Sequence, residues 1–128
     1  MKVYSENNYP KKDTTEKIIR AAFAVHNKLG AGFVEKVYEN ALAHEVRKSG
    51  LRAQQQQPIT VTYDGVVVGD YMADIVVGDS VIVELKTVKA FDDVHFAQCI
   101  NYLKATGMKI CLLINFGQPK IEIKRFAN

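Results

Sequence analysis

Glu84 and Lys86 stand two residues apart inside an otherwise apolar run, Val81-Ile82-Val83-Glu84-Leu85-Lys86-Thr87-Val88. Taking an unpaired charge out of water costs several kcal/mol, so such groups are paired, kept at the solvent edge, or held for chemistry. Side chains alternate along a strand, which puts Glu84 and Lys86 on one face and Val83 and Leu85 on the other. Gly78-Asp79-Ser80 precedes the run as a turn signal. A three-residue turn sets position 74 opposite position 84 and brings Asp74 to the face of Glu84; a two-residue turn pairs 74 with 83 and separates them. Two carboxylates converging beside an ammonium suit phosphodiester hydrolysis. Their oxygens can hold a hard divalent cation that polarises the phosphate and acidifies water, while the lysine orients that water or offsets developing charge. The plainer alternative is a decorated, solvent-facing strand. Glu-x-Lys recurs at Glu122-Ile123-Lys124, where no acidic residue is placed to face it, and that copy reads as a surface strand.

The elements that must position these groups follow from hydrophobic period and turn residues. A polar, irregular stretch over 1–12 leads to a helix expected from Asp13, capped by its own side chain with Glu16 reaching back, and burying Ile19, Ala22, Phe23 and Leu29. Gly30-Ala31-Gly32 breaks it. A second helix begins near Val34, with Val37, Ala41, Leu42 and Val46 at helical spacing, and ends at Gly50. From Leu51 the period becomes two, through Thr62, the tight-turn pair Asp64-Gly65 and a second run from Val66 to Val77, a hairpin signal. The run Gln54 to Gln57 is too short to carry meaning as low complexity. Phe91 to Thr106 returns to helical spacing, with Asp92 or Asp93 as cap and Gly107 as stop. Ile110 to Phe116 and Lys120 to Phe126 then read as strands. The order is α-α-β-β-β-α-β-β, and the helix between the meander and Ile110 permits a parallel strand pair at the centre of a mixed sheet covered by helices.

With 128 residues the chain fits one domain, expected over 13–128. A net charge of +3 is a mild excess that falls short of a basic nucleic-acid tail, so any phosphate contact is local. No apolar run approaches the roughly 18 residues of a membrane span and the N-terminal stretch lacks an apolar signal core, which makes no membrane and a cytoplasmic location the default expectations. Cys99 and Cys111 have no metal-ligand spacing and read as reduced core residues.

Asp74, a hairpin and Glu84-Leu85-Lys86 together resemble the PD-(D/E)XK nuclease superfamily, with Ala73 where the motif's proline stands. Gln98-Cys99-Ile100-Asn101-Tyr102 is similar to the QxxxY element of its exonuclease-like branch. Gly32-Phe33-Val34-Glu35-Lys36-Val37-Tyr38 resembles the signature of the GxxExxY family of small bacterial and archaeal proteins. The likeness runs from about Ile18 to Phe126 and includes His26-Asn27-Lys28-Leu29-Gly30 and Leu112 to Gly117.

The resemblance implies a restriction-endonuclease-like α/β core and a Mg2+ or Mn2+ site made by Asp74, Glu84, Glu35 and the Leu85 carbonyl, with Lys86 as catalytic lysine. It also implies supporting or substrate contacts from Gln98, Tyr102, His26 and Tyr38. Each of these has a plainer reading: a solvated helix residue for Glu35, a helix packing edge for Gln98 and Tyr102, and a core or boundary histidine for His26. Tyr38 shares a helix face with Glu35. The function implied is metal-dependent cleavage of nucleic acid, DNA ahead of RNA. The alternative is a catalytically silent module binding nucleic acid or an unidentified protein partner. A homodimer is expected by analogy with symmetric nucleases. A small-molecule binder finds no support, for there is no glycine-rich phosphate loop.

Overall fold

The computed structural model describes residues 11–128. Of the irregular stretch expected over 1–12, residues 1–10 lie outside the described residues, and Lys12 already belongs to a helix. In chain order the elements are α1 (Lys12–Leu29), α2 (Glu35–Lys48), β1 (Ala53–Tyr63), β2 (Val66–Val77), β3 (Val81–Lys86), α3 (Asp93–Thr106), β4 (Ile110–Asn115) and β5 (Glu122–Ala127). This is the α-α-β-β-β-α-β-β order read from the sequence. The strands form a five-stranded sheet in the order β1-β2-β3-β4-β5, antiparallel except for the central β3–β4 pair. That parallel pair exists because α3 carries the chain back across the sheet between them.

The helix boundaries show where local signals succeed and fail. Asp92 caps α3 by accepting the Val94 N–H at 3.1 Å, and the Asp92 N–H returns to His95 Nδ1 at 3.0 Å. Gly107 closes the helix at φ 70°, where an L side chain is strained. At α1 the expected Asp13 cap does not form. The Lys11 carbonyl already accepts the Thr15 N–H at 2.9 Å, so the first turn closes earlier and Asp13 sits inside it. There its carboxylate still complements the helix dipole. The buried stripe of α1 is Ile18, Ala21, Ala22 and Val25, at i, i+3, i+4 and i+7, which leaves Phe23 46% exposed, contrary to the reading that buried it. In α2 the stripe likewise turns toward Tyr38, Glu39, Leu42, Ala43 and Val46, leaving Val37 and Ala41 half-buried.

The sheet separates two apolar clusters. On one face Val81, Val83, Leu85, Leu112 and Ile114 pack against α1 and α2; on the other, Ile82, Cys111 and Leu113 pack against Cys99 and Leu103 of α3. Both cysteines are free and buried, as expected. The β1–β2 ribbon changes faces partway along. Ala53 and Ile75 lie in the first cluster while Ile59 and Ala73 lie in the second, although strict alternation would keep each pair on one face. The reversal falls at Gln56, whose φ of 52° is left-handed, and at Asp74 opposite it, where the β1–β2 ladder skips a rung. Among the described residues no helix is long and apolar enough to cross a membrane.

Candidate active site

The turn between β2 and β3 is the three-residue one that the site required. Ile75 pairs with Val83, Val76 with Ile82 and Val77 with Val81, so the next position outward sets Asp74 against Glu84. The backbone ladder stops there and the carboxylates take its place. Glu84 Oε1 accepts the Asp74 N–H at 3.1 Å, and Asp74 Oδ2 accepts the Leu85 N–H at 2.9 Å. Each acid thus occupies one oxygen on the opposite strand's backbone.

The electrostatics are those of crowded carboxylates in a dry place. Glu84 is only 2% exposed, and burial, followed by the charge of Asp74, pushes its pKa up to about 9. Burial also raises Asp74, against the Leu85 N–H that favours its anion, and the charge of Glu39 adds to the rise. Glu35, the first residue of α2, is raised by partial burial and then by Asp74, which places it in the same electrostatic field. Lys86 lowers all three and is the cation they share. Among the described residues, however, no three His, Cys, Asp or Glu side chains form an assembled metal-ligand set, so the expected convergence of Glu35, Asp74 and Glu84 is not closed. The donor chemistry nonetheless fits a hard cation, which would relieve the mutual cost of two facing, desolvated carboxylates.

The loop after Lys86 is fixed from β4. Asn115 is fully buried beside Lys86 in the parallel pair. Its Nδ2 donates to the Val88 carbonyl at 2.8 Å and to Glu122 Oε1 at 2.9 Å, while its Oδ1 accepts the Val88 N–H at 3.0 Å and the Gly117 N–H at 2.9 Å. Gly117 packs against the same loop so closely that a Cβ there would meet Thr87 and Val88 backbone atoms at 2.7 Å. Glu122 of the second Glu-x-Lys is therefore a partner of this clamp, on the strand at the sheet's end.

On α3, Gln98 Nε2 donates to the Tyr102 hydroxyl at 2.8 Å, so the two share a face as their spacing implies. Burial, followed by the charge of Glu84, raises the Tyr102 phenol to about 12, so Tyr102 lies within the electrostatic reach of the carboxylates. Tyr38 and His26 are not brought to the site. Tyr38 has no exposed surface, stacks on Phe116 at 4.7 Å, donates to the Gly30 carbonyl and accepts the Phe33 N–H at 3.2 Å. It pins the turn in which Gly32 adopts φ 118° and from which α2 starts with Glu35. His26 is also buried, its Nε2 2.8 Å from the Gln118 carbonyl and its ring beside Phe116. Both serve the scaffold because helical spacing carries them onto the core face of α1 and α2.

Three site residues escaped sequence reasoning. Glu39 is 3% exposed and holds Lys36 Nζ at 3.0 Å, Gln55 Nε2 at 2.7 Å and Gln56 Nε2 at 2.7 Å. Gln56 also stands opposite Asp74 where the ladder skips a rung, and its amide favours the Asp74 anion, so Gln56 lies between the Glu39 and Asp74 carboxylates. Glu39 lies four residues beyond Glu35 on the same helix, and that spacing was the available signal. Nothing local marks Gln55 or Gln56.

A sequence model of the PD-(D/E)XK nuclease superfamily matches residues 12–126. Comparison with curated proteins gives no match. Among solved structures, the crystal structure of SSO0001 superposes with a TM-score of 0.57 at 16% identity, covering 99% of this chain and 70% of that one. That of an alkaline exonuclease (LHK-Exo) from Laribacter hongkongensis gives 0.48 at 13% identity, covering 94% and 72%. The likeness to SSO0001 is one of fold.

Proposed function

We propose that this chain, which belongs to the PD-(D/E)XK nuclease superfamily, is a metal-dependent nuclease that hydrolyses phosphodiester bonds of nucleic acid, DNA ahead of RNA, through Asp74, Glu84, Lys86 and Glu35. One observation carries the reading. Asp74 and Glu84 face each other where the ladder stops, each seated on the opposite strand's backbone, and both are held above the ordinary carboxylate range. Neutral acceptors would satisfy the same two backbone N–H groups, whereas two facing carboxylates add a cost, since one partner has to keep its proton. The finer assignment to the GxxExxY family is supported by the division of labour at its signature: a glycine for the positive φ of Gly32, a tyrosine that pins the turn, and Glu35 within the electrostatic reach of Asp74.

Nucleases of this superfamily generally use divalent metal ions, and Mg2+ or Mn2+ would supply charge neutralisation at the phosphate and a more acidic water. Asp74 and Glu84 would hold it, with Glu35 and the Leu85 carbonyl beside them. Lys86, on the face of Glu84, presents its ammonium to the scissile phosphate, donates hydrogen bonds to the phosphate oxygens and steadies the attacking water. Tyr102, kept protonated, can donate to a phosphate oxygen, and Gln98 orients it. The test is cleavage of single- and double-stranded DNA and RNA with Mg2+ or Mn2+ against EDTA. Cation-dependent cleavage of at least one substrate is expected; none of the four cut in either ion leaves a binding module and sinks the enzyme.

The Gln56 amide, bonded to Glu39 and facing Asp74, yields a separate expectation. A glutamine at φ 52° carries backbone strain on the order of 1 kcal/mol or more, which persists only where surrounding contacts impose it. Gln56→Gly relieves the strain and deletes the amide. Its melting temperature should stay at or above the wild-type value while cleavage slows roughly tenfold through loss of Asp74 positioning. Unchanged cleavage in that variant would show the amide to be purely structural.

A further inference from the structure

Beyond the carboxylates, two adjoining cavities of about 510 and 440 Å³ share Val61, Tyr71 and Asn101. Joined, they make a groove between the β1–β2 ribbon and α3, with Lys86 at one end and Lys104 at the other. Neither cavity is lined by an acidic side chain. Tyr71 is the central feature: its ring leans on Tyr102 with centroids 5.7 Å apart and is still 51% exposed. Asn101 and Lys104 are exposed along the α3 wall, Val61 sits on the ribbon wall, and Gln98 closes toward the site.

Apolar and aromatic walls, amide groups and a cation at either end match one chemistry, a chain of flat heterocycles joined by phosphates. A base can lie on the Tyr71 ring only if it is unstacked from its neighbours, which a paired duplex forbids without flipping. Duplex backbones are instead held by broad basic surfaces, and a net charge of +3 supplies little of that. We propose that this groove binds an unpaired nucleic-acid strand, with a base stacked on Tyr71 and flanking phosphates at Lys104 and Lys86, and so feeds single-stranded substrate to the site. The proposal rests on the nuclease reading above and names its substrate class.

Binding is measured without cleavage, in EDTA, by fluorescence anisotropy of labelled oligomers of about 15 nucleotides: single-stranded DNA, the same sequence as RNA, and blunt DNA duplex. Wild type should bind a single strand in preference to duplex, the two single-stranded arms showing whether DNA or RNA is preferred. Tyr71→Ala should weaken single-strand binding roughly 5- to 100-fold, the loss expected for one base stack. Tyr71→Phe should keep it. Tyr71→Leu keeps an apolar side chain against Tyr102 but offers no ring, and should behave as Tyr71→Ala. Duplex preference, or full single-strand affinity in Tyr71→Leu, overturns the groove; binding of neither strand form favours a protein ligand and overturns it as well. Cleavage in Mg2+ is scored separately. Duplex cutting unaffected at Tyr71 sinks the groove and spares the nuclease, whereas Tyr71-dependent binding with no cleavage of any substrate does the reverse.

Discussion

Glu84→Gln and Lys86→Ala should each reduce cation-dependent cleavage by roughly 100- to 1,000-fold or more, the scale on which one preorganised electrostatic group contributes to a charged transition state. Glutamine keeps the shape of Glu84 and can still accept the Asp74 N–H, but it cannot supply a charged oxygen, so the variant isolates charge from packing. Lys86→Ala removes the one cation that all three acids feel. Asn115, Gly117 and the Val88 loop should hold the strand end in place without it. Both proteins should therefore fold, as read by circular dichroism and thermal melting. The mirrored change Glu122→Gln, at the second Glu-x-Lys, touches only the Asn115 clamp and should leave the cleavage rate within about twofold. Equal cleavage by wild type and both site variants would trace the activity to a contaminant and remove Glu84 and Lys86 from the chemistry.

Half of the site pair was legible from a short-range rule, since strand alternation sets Glu84 and Lys86 on one face. The register of Asp74 hung on a turn length the sequence left open between two and three residues, and the structure has the three-residue turn Gly78-Asp79-Ser80. The cap and stop of α3 were legible for the same reason, being local chemistry. What escaped was imposed from a distance. A left-handed backbone is announced by glycine or asparagine, and Gln56 is neither; its side chain is held by Glu39 from α2. The face reversal of the ribbon follows from that residue and was equally silent. Glu39 was hidden because a glutamate on an amphipathic helix reads as solvated until its partners, here Gln55 and Gln56, are known. Tyr38 was drawn toward the site by the spacing of motif letters and His26 by the resemblance alone, against its plainer reading as a core histidine, while the side chains of both answer to the core around Phe116.

Without divalent cation the site should destabilise the protein as pH rises, and Glu84 should be the main cause. Its folded pKa of about 9 lies above the ordinary 4.5, so the folded state keeps a proton that the unfolded chain releases. The resulting stability is fully present below the unfolded value and is lost as pH climbs toward the folded one. While one proton separates the two states, the slope approaches about 1.4 kcal/mol per pH unit. For a domain of this size that is several degrees of melting temperature per unit, on the scale of roughly 2 to 8 °C per kcal/mol. Asp74 and Glu35 are shifted in the same direction and steepen the fall. In EDTA, wild type should therefore lose melting temperature between about pH 5 and pH 9. Glu84→Gln, which has no proton to release there, should be flatter and should melt higher than wild type at pH 9. Adding Mg2+ or Mn2+ at alkaline pH should raise the wild-type melting temperature, because a cation bound between the carboxylates offsets the charge that burial penalises. The same addition should do little for Glu84→Gln. Differential scanning fluorimetry over that pH range, with and without cation, reads both effects from one plate. Parallel pH slopes for the two proteins would remove Glu84 as their source, and an equal cation response in the variant would move the metal away from the Asp74–Glu84 pair.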